Sequence, residues 1–177
     1  MAYFEDLSPY CYQDRNVDAL NVGWLHPDYE FPVGKTDDAF RARLSYACAQ
    51  SRVPPTCGHH LCLFCGCYRG SREVFIRHGE TIYAAPELIV HYVIDHDYRP
   101  PDEFIEAVLK VDLPEDWPPS HGLKKLDPPT EEEWEQALEC EAQTVAGLLQ
   151  KQKEMVQLAE QRAQLAAWKK KKKRKGR

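Results

Sequence analysis

Cysteine and histidine residues cluster in the segment GHHLCLFCGC and again, after a gap, in the segment HYVIDH. Cys62 and Cys65 are separated by two residues, a spacing that lets two thiolates meet one ion because the tight turn between them aims both sulfurs inward. His91 and His96 lie five positions apart, which suits a pair of histidine ligands near the end of a helix. Together the four side chains predict a tetrahedral Zn²⁺ site.

Other ligand sets are open at this level. His60 precedes Cys62 by two residues, so the loop could supply three ligands, His60, Cys62 and Cys65, and leave one histidine of HYVIDH for the fourth. The further substitutes are Cys57 and Cys67. Without a metal, the cysteines would be small buried residues and His91 a core histidine bonded to a backbone carbonyl. A redox-active Cys-x-x-Cys pair fits less well, because such motifs open a helix after a strand.

Two cysteine ligands favour a closed structural site, because a catalytic zinc keeps one position open for water. His59, Asp95 and Asp97 lie beside the ligands in sequence and would serve a zinc-dependent hydrolase or nuclease. A nuclease of the His-Asn-His type needs an asparagine, and the chain has none after the cysteine segment. We therefore expect a non-enzymatic protein, with the hydrolase as an alternative.

The elements that position these residues predict an α+β fold. A capped helix is expected from Thr36 through DDAFRARLSYACAQ, and NVGWL could form a short strand. REVFIR and ETIYAA alternate in polarity around His78-Gly79, which predicts a β-hairpin. One helix is expected from Pro86 through ELIVHYVIDH and another from the Pro-Pro pair before DEFIEAVL. The order of zinc knuckle, hairpin and helix predicts a treble-clef-like zinc core.

Prolines divide the chain, since seven of the 13 lie between Arg99 and Thr130. After them, Thr130 and Glu133 form a capping box that predicts a helix, and its thin apolar stripe calls for a protein partner or self-association as a coiled coil. The predicted organisation has four parts: a zinc-binding α+β domain, 1–110; a Pro-rich linker, 111–129; a long amphipathic helix, 130–168; and a basic disordered tail, 169–177.

Charge separates the tail from the rest of the chain. The formal net charge is −5, but the last nine residues hold eight of the 23 Lys and Arg, so residues 1–168 carry −13. A lysine-rich tail binds polyanions by releasing counterions, and weak contact with nucleic acid or the ribosome is a second possible function. No stretch is apolar enough to cross a membrane, and the first residues do not resemble a secretory signal. We expect a cytoplasmic protein with reduced cysteines.

The segments GHHLCLFC and IYAAPELIVHYVIDHDYRPPDEFIEAVL, with LSPY and NVGWL near the start, resemble an uncharacterised bacterial family. Its members share a G-x-H-x-C-x-x-C loop and an AAP-x-LI-x-HY-x-x-x-H-x-Y-x-PP-x-EF stretch. The resemblance covers roughly residues 1–110, and its pattern falls on His60, Cys62, Cys65, His91 and His96. It implies metal binding but no particular activity. The sequence thus predicts a structural zinc site in a protein-protein interaction or adaptor module.

Overall fold

The structure is a computed structural model of the chain. It describes residues 3–12, 17–55, 60–115, 117, 123, 125–127, 129–136, 138–139, 143, 146–147 and 150. The elements in chain order are β1 (Leu20–Asn21), α1 (Asp38–Ala49), β2 (His60–Leu61), β3 (Arg69–Gly70), β4 (Glu73–His78), β5 (Thr81–Pro86), α2 (Ile89–Asp95) and α3 (Asp102–Leu109). Residues 131–136 are also helical. This combination of small sheets and helices confirms the predicted α+β class.

A three-stranded sheet with the order β1-β5-β4 forms the centre of the domain. β4 and β5 are antiparallel and run in register from Glu73↔Pro86 to His78↔Thr81, so the predicted hairpin is confirmed. Its turn lies at Gly79 and Glu80, one residue later than the His78-Gly79 position expected from the sequence. β1 pairs with β5 in parallel and is only two residues long, shorter than the NVGWL segment suggested.

Helix α1 packs one apolar face against the sheet and the other helices. Its buried residues Phe40, Leu44 and Cys48 follow the predicted spacing. The cap is Asp37 rather than Thr36, because the Asp37 carboxylate accepts a hydrogen bond of 2.7 Å from the Phe40 N–H. The Thr36 hydroxyl is used elsewhere and accepts a hydrogen bond from the Arg41 side chain.

Helix α2 begins later than the sequence indicated. Pro86 was expected in its first turn, but Pro86 is the last residue of β5 and pairs with Glu73. The hairpin extends to this point because a proline at the end of a strand gives up only one ladder hydrogen bond. Helix α2 therefore starts at Ile89 and has no side-chain cap.

The N-terminal segment closes the core over the sheet. Trp24 is fully buried, and its indole N–H donates a hydrogen bond of 3.1 Å to the Ala84 carbonyl of β5. The Val22 N–H donates to the same carbonyl, which continues the pairing beyond β1. This segment lies against α2, because Ile89 comes close to the backbone of Gly23.

The predicted capping box is present at the start of the C-terminal helix. The Glu133 carboxylate accepts a hydrogen bond from the Thr130 N–H, and the Thr130 hydroxyl accepts one from the Glu133 N–H. The described residues between 131 and 150 are helical. The rest of the predicted long helix and the basic tail lie outside the described residues. Within the described part of the chain, no helix is long and apolar enough to span a membrane.

Candidate metal centre

The Cys-x-x-Cys knuckle occupies residues 60–70 and is held by its own backbone. The short strands β2 and β3 pair antiparallel through His60↔Gly70 and Leu61↔Arg69. Between them, the Cys62 N–H donates to the Tyr68 carbonyl and the Gly66 N–H donates to the Cys62 carbonyl, both at 2.8 Å. These bonds fold the turn so that both sulfurs of the Cys-x-x-Cys pair lie on the side that faces α2.

Helix α2 supplies the other two side chains. His91 lies in its first half, and His96 is the residue that ends it, with its N–H bonded to the Tyr92 carbonyl at 3.1 Å. Five positions correspond to about one and a half helical turns, but the backbone leaves helical geometry at His96 and its ring turns back toward His91. The two imidazole Nε2 atoms are 3.0 Å apart as a result.

The four ligand atoms of Cys62, Cys65, His91 and His96 all lie within 4.8 Å of one another. The Cys62 sulfur is 3.4 Å from His96 Nε2, and the Cys65 sulfur is 3.3 Å from His91 Nε2. A tetrahedral zinc with bonds of about 2.3 Å to sulfur and about 2.0 Å to nitrogen separates a sulfur from a nitrogen by about 3.5 Å and two nitrogens by about 3.3 Å. The four residues lie close enough to bind one metal ion.

The orientation of the His91 ring is fixed by an acidic neighbour one helical turn later. Asp95 Oδ2 lies 2.5 Å from His91 Nδ1, so Nδ1 carries the proton and Nε2 keeps its lone pair toward the cluster. The Tyr68 ring lies against the imidazole with a centroid distance of 4.1 Å. Such a carboxylate-histidine pair is the usual outer support of a metal-bound imidazole. The sequence suggested Asp95 only as a helper in catalysis.

Burial shifts the pKa of two of the four residues, Cys62 and His96. It raises the pKa of the Cys62 thiol, and the backbone N–H groups of Phe64 and Cys65 offset this only in part by bonding to the sulfur. Burial also lowers the pKa of His96, so its ring is neutral and can donate a lone pair. A divalent cation would favour the thiolates, because its charge balances two negative sulfurs in a site that is partly shielded from water.

Aromatic side chains enclose the cluster. The Phe64 ring packs on His96, on Tyr92 and on Phe31, with centroid distances of 5.2, 5.8 and 5.5 Å. Cys62 and His91 are almost completely buried, at 0% and 1% exposure. Cys65 and His96 are half-buried, so the cluster is only partly shielded where the knuckle meets α2.

The other candidate ligands either lie away from the cluster or belong to residues that the structure does not describe. His60 is not one of the four clustered residues, and its Nε2 lies 3.2 Å from the Tyr12 hydroxyl. Cys67 donates its thiol to the Cys65 carbonyl at 3.1 Å, and its N–H bonds to the Cys65 sulfur at 3.4 Å. Cys57 and His59 belong to residues 56–59, which lie outside the described residues.

The knuckle makes a further contact that the sequence did not predict. The Leu126 N–H donates a hydrogen bond of 2.8 Å to the Cys67 carbonyl, and Lys125 forms an antiparallel bridge with Tyr68. Pro129 and Trp134 lie directly over Gly66. We call the described part of residues 125–134 the return segment. The predicted Pro-rich linker therefore contacts the knuckle at its C-terminal end.

Fold and site together define a small α+β domain in which a Cys-x-x-Cys knuckle and a histidine-bearing helix form one potential metal-binding cluster. The chain belongs to the family described as a domain of unknown function, DUF7919, whose model matches residues 2–109. The resemblance to an uncharacterised family is thus confirmed. No curated protein matches the chain, and no solved structure matches it.

Proposed function

We propose that Cys62, Cys65, His91 and His96 bind one zinc ion in a closed structural site of treble-clef type. The observation that carries this proposal is the convergence of four ligand atoms within 4.8 Å from two separate parts of the chain. Two thiolates and two imidazoles in a tetrahedral arrangement are typical ligands of structural zinc. Magnesium and calcium are disfavoured because they require oxygen ligands.

A structural role is supported by the completeness of the site. Four protein ligands fill the coordination sphere of a tetrahedral zinc, so no position is left for a water that could attack a substrate. Asp95, the nearest carboxylate to His91, is engaged with Nδ1 and orients the ring. These features favour a folding role for the metal over the hydrolase alternative.

The proposed biological role is that of a protein-protein interaction or adaptor module. The return segment rests on the knuckle, and the helix that begins at residue 131 leaves the domain from this point. The described side chains of this helix are mostly exposed, including Leu138 at 41%. An apolar residue on an exposed helix is suited to contact with a partner protein. The metal would hold the base of this helix in place.

Metal content of the purified protein, measured by elemental analysis, tests the site directly. We expect one zinc per chain in the wild type, and loss of zinc in Cys62→Ser, His91→Ala and His96→Ala. His60→Ala and Cys67→Ser are matched controls that change the same residue types nearby and should retain zinc. If His96→Ala retains zinc and His60→Ala loses it, His60 rather than His96 is the fourth ligand. A wild type without metal would refute the proposal.

Thermal unfolding tests the structural role independently of activity. Zinc binding to a structural site contributes about 10–16 kcal/mol at neutral pH, and this energy is folding energy. A strong chelator should therefore lower the midpoint of unfolding sharply, and added zinc should restore it. An unchanged transition in a chain shown to have lost its metal would argue against a structural site.

A further inference from the structure

The outer edge of β4 is an unpaired sheet edge. In the sheet order β1-β5-β4, β4 is the last strand, and among the described residues no strand pairs with its other side. Natural proteins usually cover or interrupt such an edge, because it offers free backbone donors and acceptors to another chain.

The hydrogen bonds of the sheet show which residues face this edge. The Ala84 carbonyl accepts from Val22 on the β1 side, and Ala84 is paired with Phe75, so these two residues form a pair that does not exchange hydrogen bonds. Because backbone groups alternate along a strand, Phe75 and Arg77 direct their N–H and C=O groups outward. At the start of the strand, the Ser51 hydroxyl donates to the Glu73 carbonyl at 2.6 Å and closes that position. Two residues are left to receive a new strand.

A cavity of about 620 Å³ runs along this edge. Tyr46 and Ala47 of α1 line it on the helical face of the sheet, together with Val111. Phe75 lines it on the opposite face, because side chains alternate along β4, and its ring packs on the Tyr10 ring at 5.6 Å. Val17 also lines the cavity. The cavity therefore has an apolar wall on each face of the β4 edge.

This shape favours a single extended peptide. Side chains of a β-strand alternate between the two faces, so an added strand would place successive apolar side chains against the two walls in turn. Arg52 is the only charged residue among the described residues that line the cavity, and Arg77 follows at the exposed end of the edge. Both charges are complementary to an acidic side chain.

We propose that the β4 edge and the cavity beside it bind an extended peptide of a partner protein as an additional β-strand, with apolar residues at alternate positions and an acidic flank. Binding uses the outward N–H and C=O groups of Phe75 and Arg77. The metal cluster takes no part, so this proposal is independent of the zinc site.

A phage-displayed library of random dodecapeptides, selected against the whole zinc-loaded protein, tests the proposal. We expect enriched peptides with alternating apolar residues and Asp or Glu near one end. In amide hydrogen exchange, the free protein should show rapid exchange at Phe75 and Arg77 and slow exchange at Val74 and Ile76. A selected peptide should slow the first two amides.

Three variants separate the possible outcomes. Arg77→Pro removes an outward N–H and should weaken binding by about tenfold relative to Arg77→Ala, which loses only the charge. Arg52→Glu should weaken the binding of peptides with an acidic flank and leave the contacts of their apolar side chains intact. Enrichment of no peptide, or equal binding to Arg77→Pro and Arg77→Ala, overturns the proposal. If the protein dimerises in sedimentation experiments and Arg77→Pro abolishes the dimer, the edge binds a second copy of the chain, and the proposal of a peptide ligand is refuted.

Discussion

Substitution of Gly66 by alanine tests whether the return segment is packed on the Cys-x-x-Cys knuckle. Gly66 has φ of +67°, and a Cβ atom there would lie 2.7 Å from Pro129 Cδ and 2.8 Å from Trp134 Cζ3. A left-handed backbone costs a non-glycine residue about 1–2 kcal/mol, and overpacking costs about 1–3 kcal/mol more. Gly66→Ala should therefore lower the free energy of unfolding by about 2–5 kcal/mol.

Gly79 provides a matched control. It has φ of +61°, but a Cβ atom there would meet nothing within 4 Å. Gly79→Ala carries the same backbone strain without the collision, so it should cost only about 1–2 kcal/mol. Urea unfolding at a fixed zinc concentration measures both, because the bound metal contributes to stability by mass action.

A double-mutant cycle with Trp134→Ala isolates the contact. Truncating Trp134 removes one of the two groups in the way of the new methyl group. Gly66→Ala should therefore cost about 1–2 kcal/mol less in the Trp134→Ala background than in the wild type. Equal costs for Gly66→Ala and Gly79→Ala, with no coupling to Trp134, would show that the return segment does not pack on the knuckle.

Three further predictions concern other parts of the chain. Asp95→Asn should weaken zinc affinity by about 10–100-fold in a competition titration, because the His91 ring loses its orienting carboxylate, whereas Asp97→Asn should have little effect. Burial raises the pKa of Asp6, so the protonated carboxyl stabilises the fold and this stabilisation is lost as pH rises through the raised pKa. The free energy of unfolding of the wild type, relative to that of Asp6→Asn, should therefore fall from pH 4 to pH 7. A rise in this difference over the same range would contradict the prediction. Deleting residues 169–177 should abolish weak binding to single-stranded RNA. In the full chain, the logarithm of the affinity should fall with the logarithm of the salt concentration at a slope of up to about −6, and a salt-independent affinity would exclude the tail as the binding site.

Local patterns predicted most of the elements around the site. The hairpin, α1 and α3 depend on short-range alternation, capping and proline positions, and these survive in the fold. The start of α2 was wrong because Pro86 suits both the first turn of a helix and the end of a strand. Pairing with Glu73 on the neighbouring strand decides between them, and that is a tertiary effect.

The ligand set shows the same limit. Spacing in the sequence allowed either His60 or His96 as a ligand beside Cys62. His60 is only two positions from Cys62, and His96 is five positions from His91, a gap that suits two histidine ligands. The structure turns His60 toward Tyr12 and brings His96 to the sulfur. The contact of Trp134 with Gly66 spans 68 positions and follows no local pattern, so only the folded chain reveals it.

Because the return segment packs on the knuckle, the orientation of the helix that begins at residue 131 depends on this contact. The predicted helix, taken as continuous from residue 131 to residue 150, would be about 30 Å long at 1.5 Å per residue. A tilt of about 5° at the knuckle would therefore displace the far end by about 3 Å, enough to move a side chain out of van der Waals contact. Small changes in the packing of Gly66, Pro129 and Trp134 would therefore be amplified along the predicted helix, and the contact with the knuckle would determine the direction in which that helix extends.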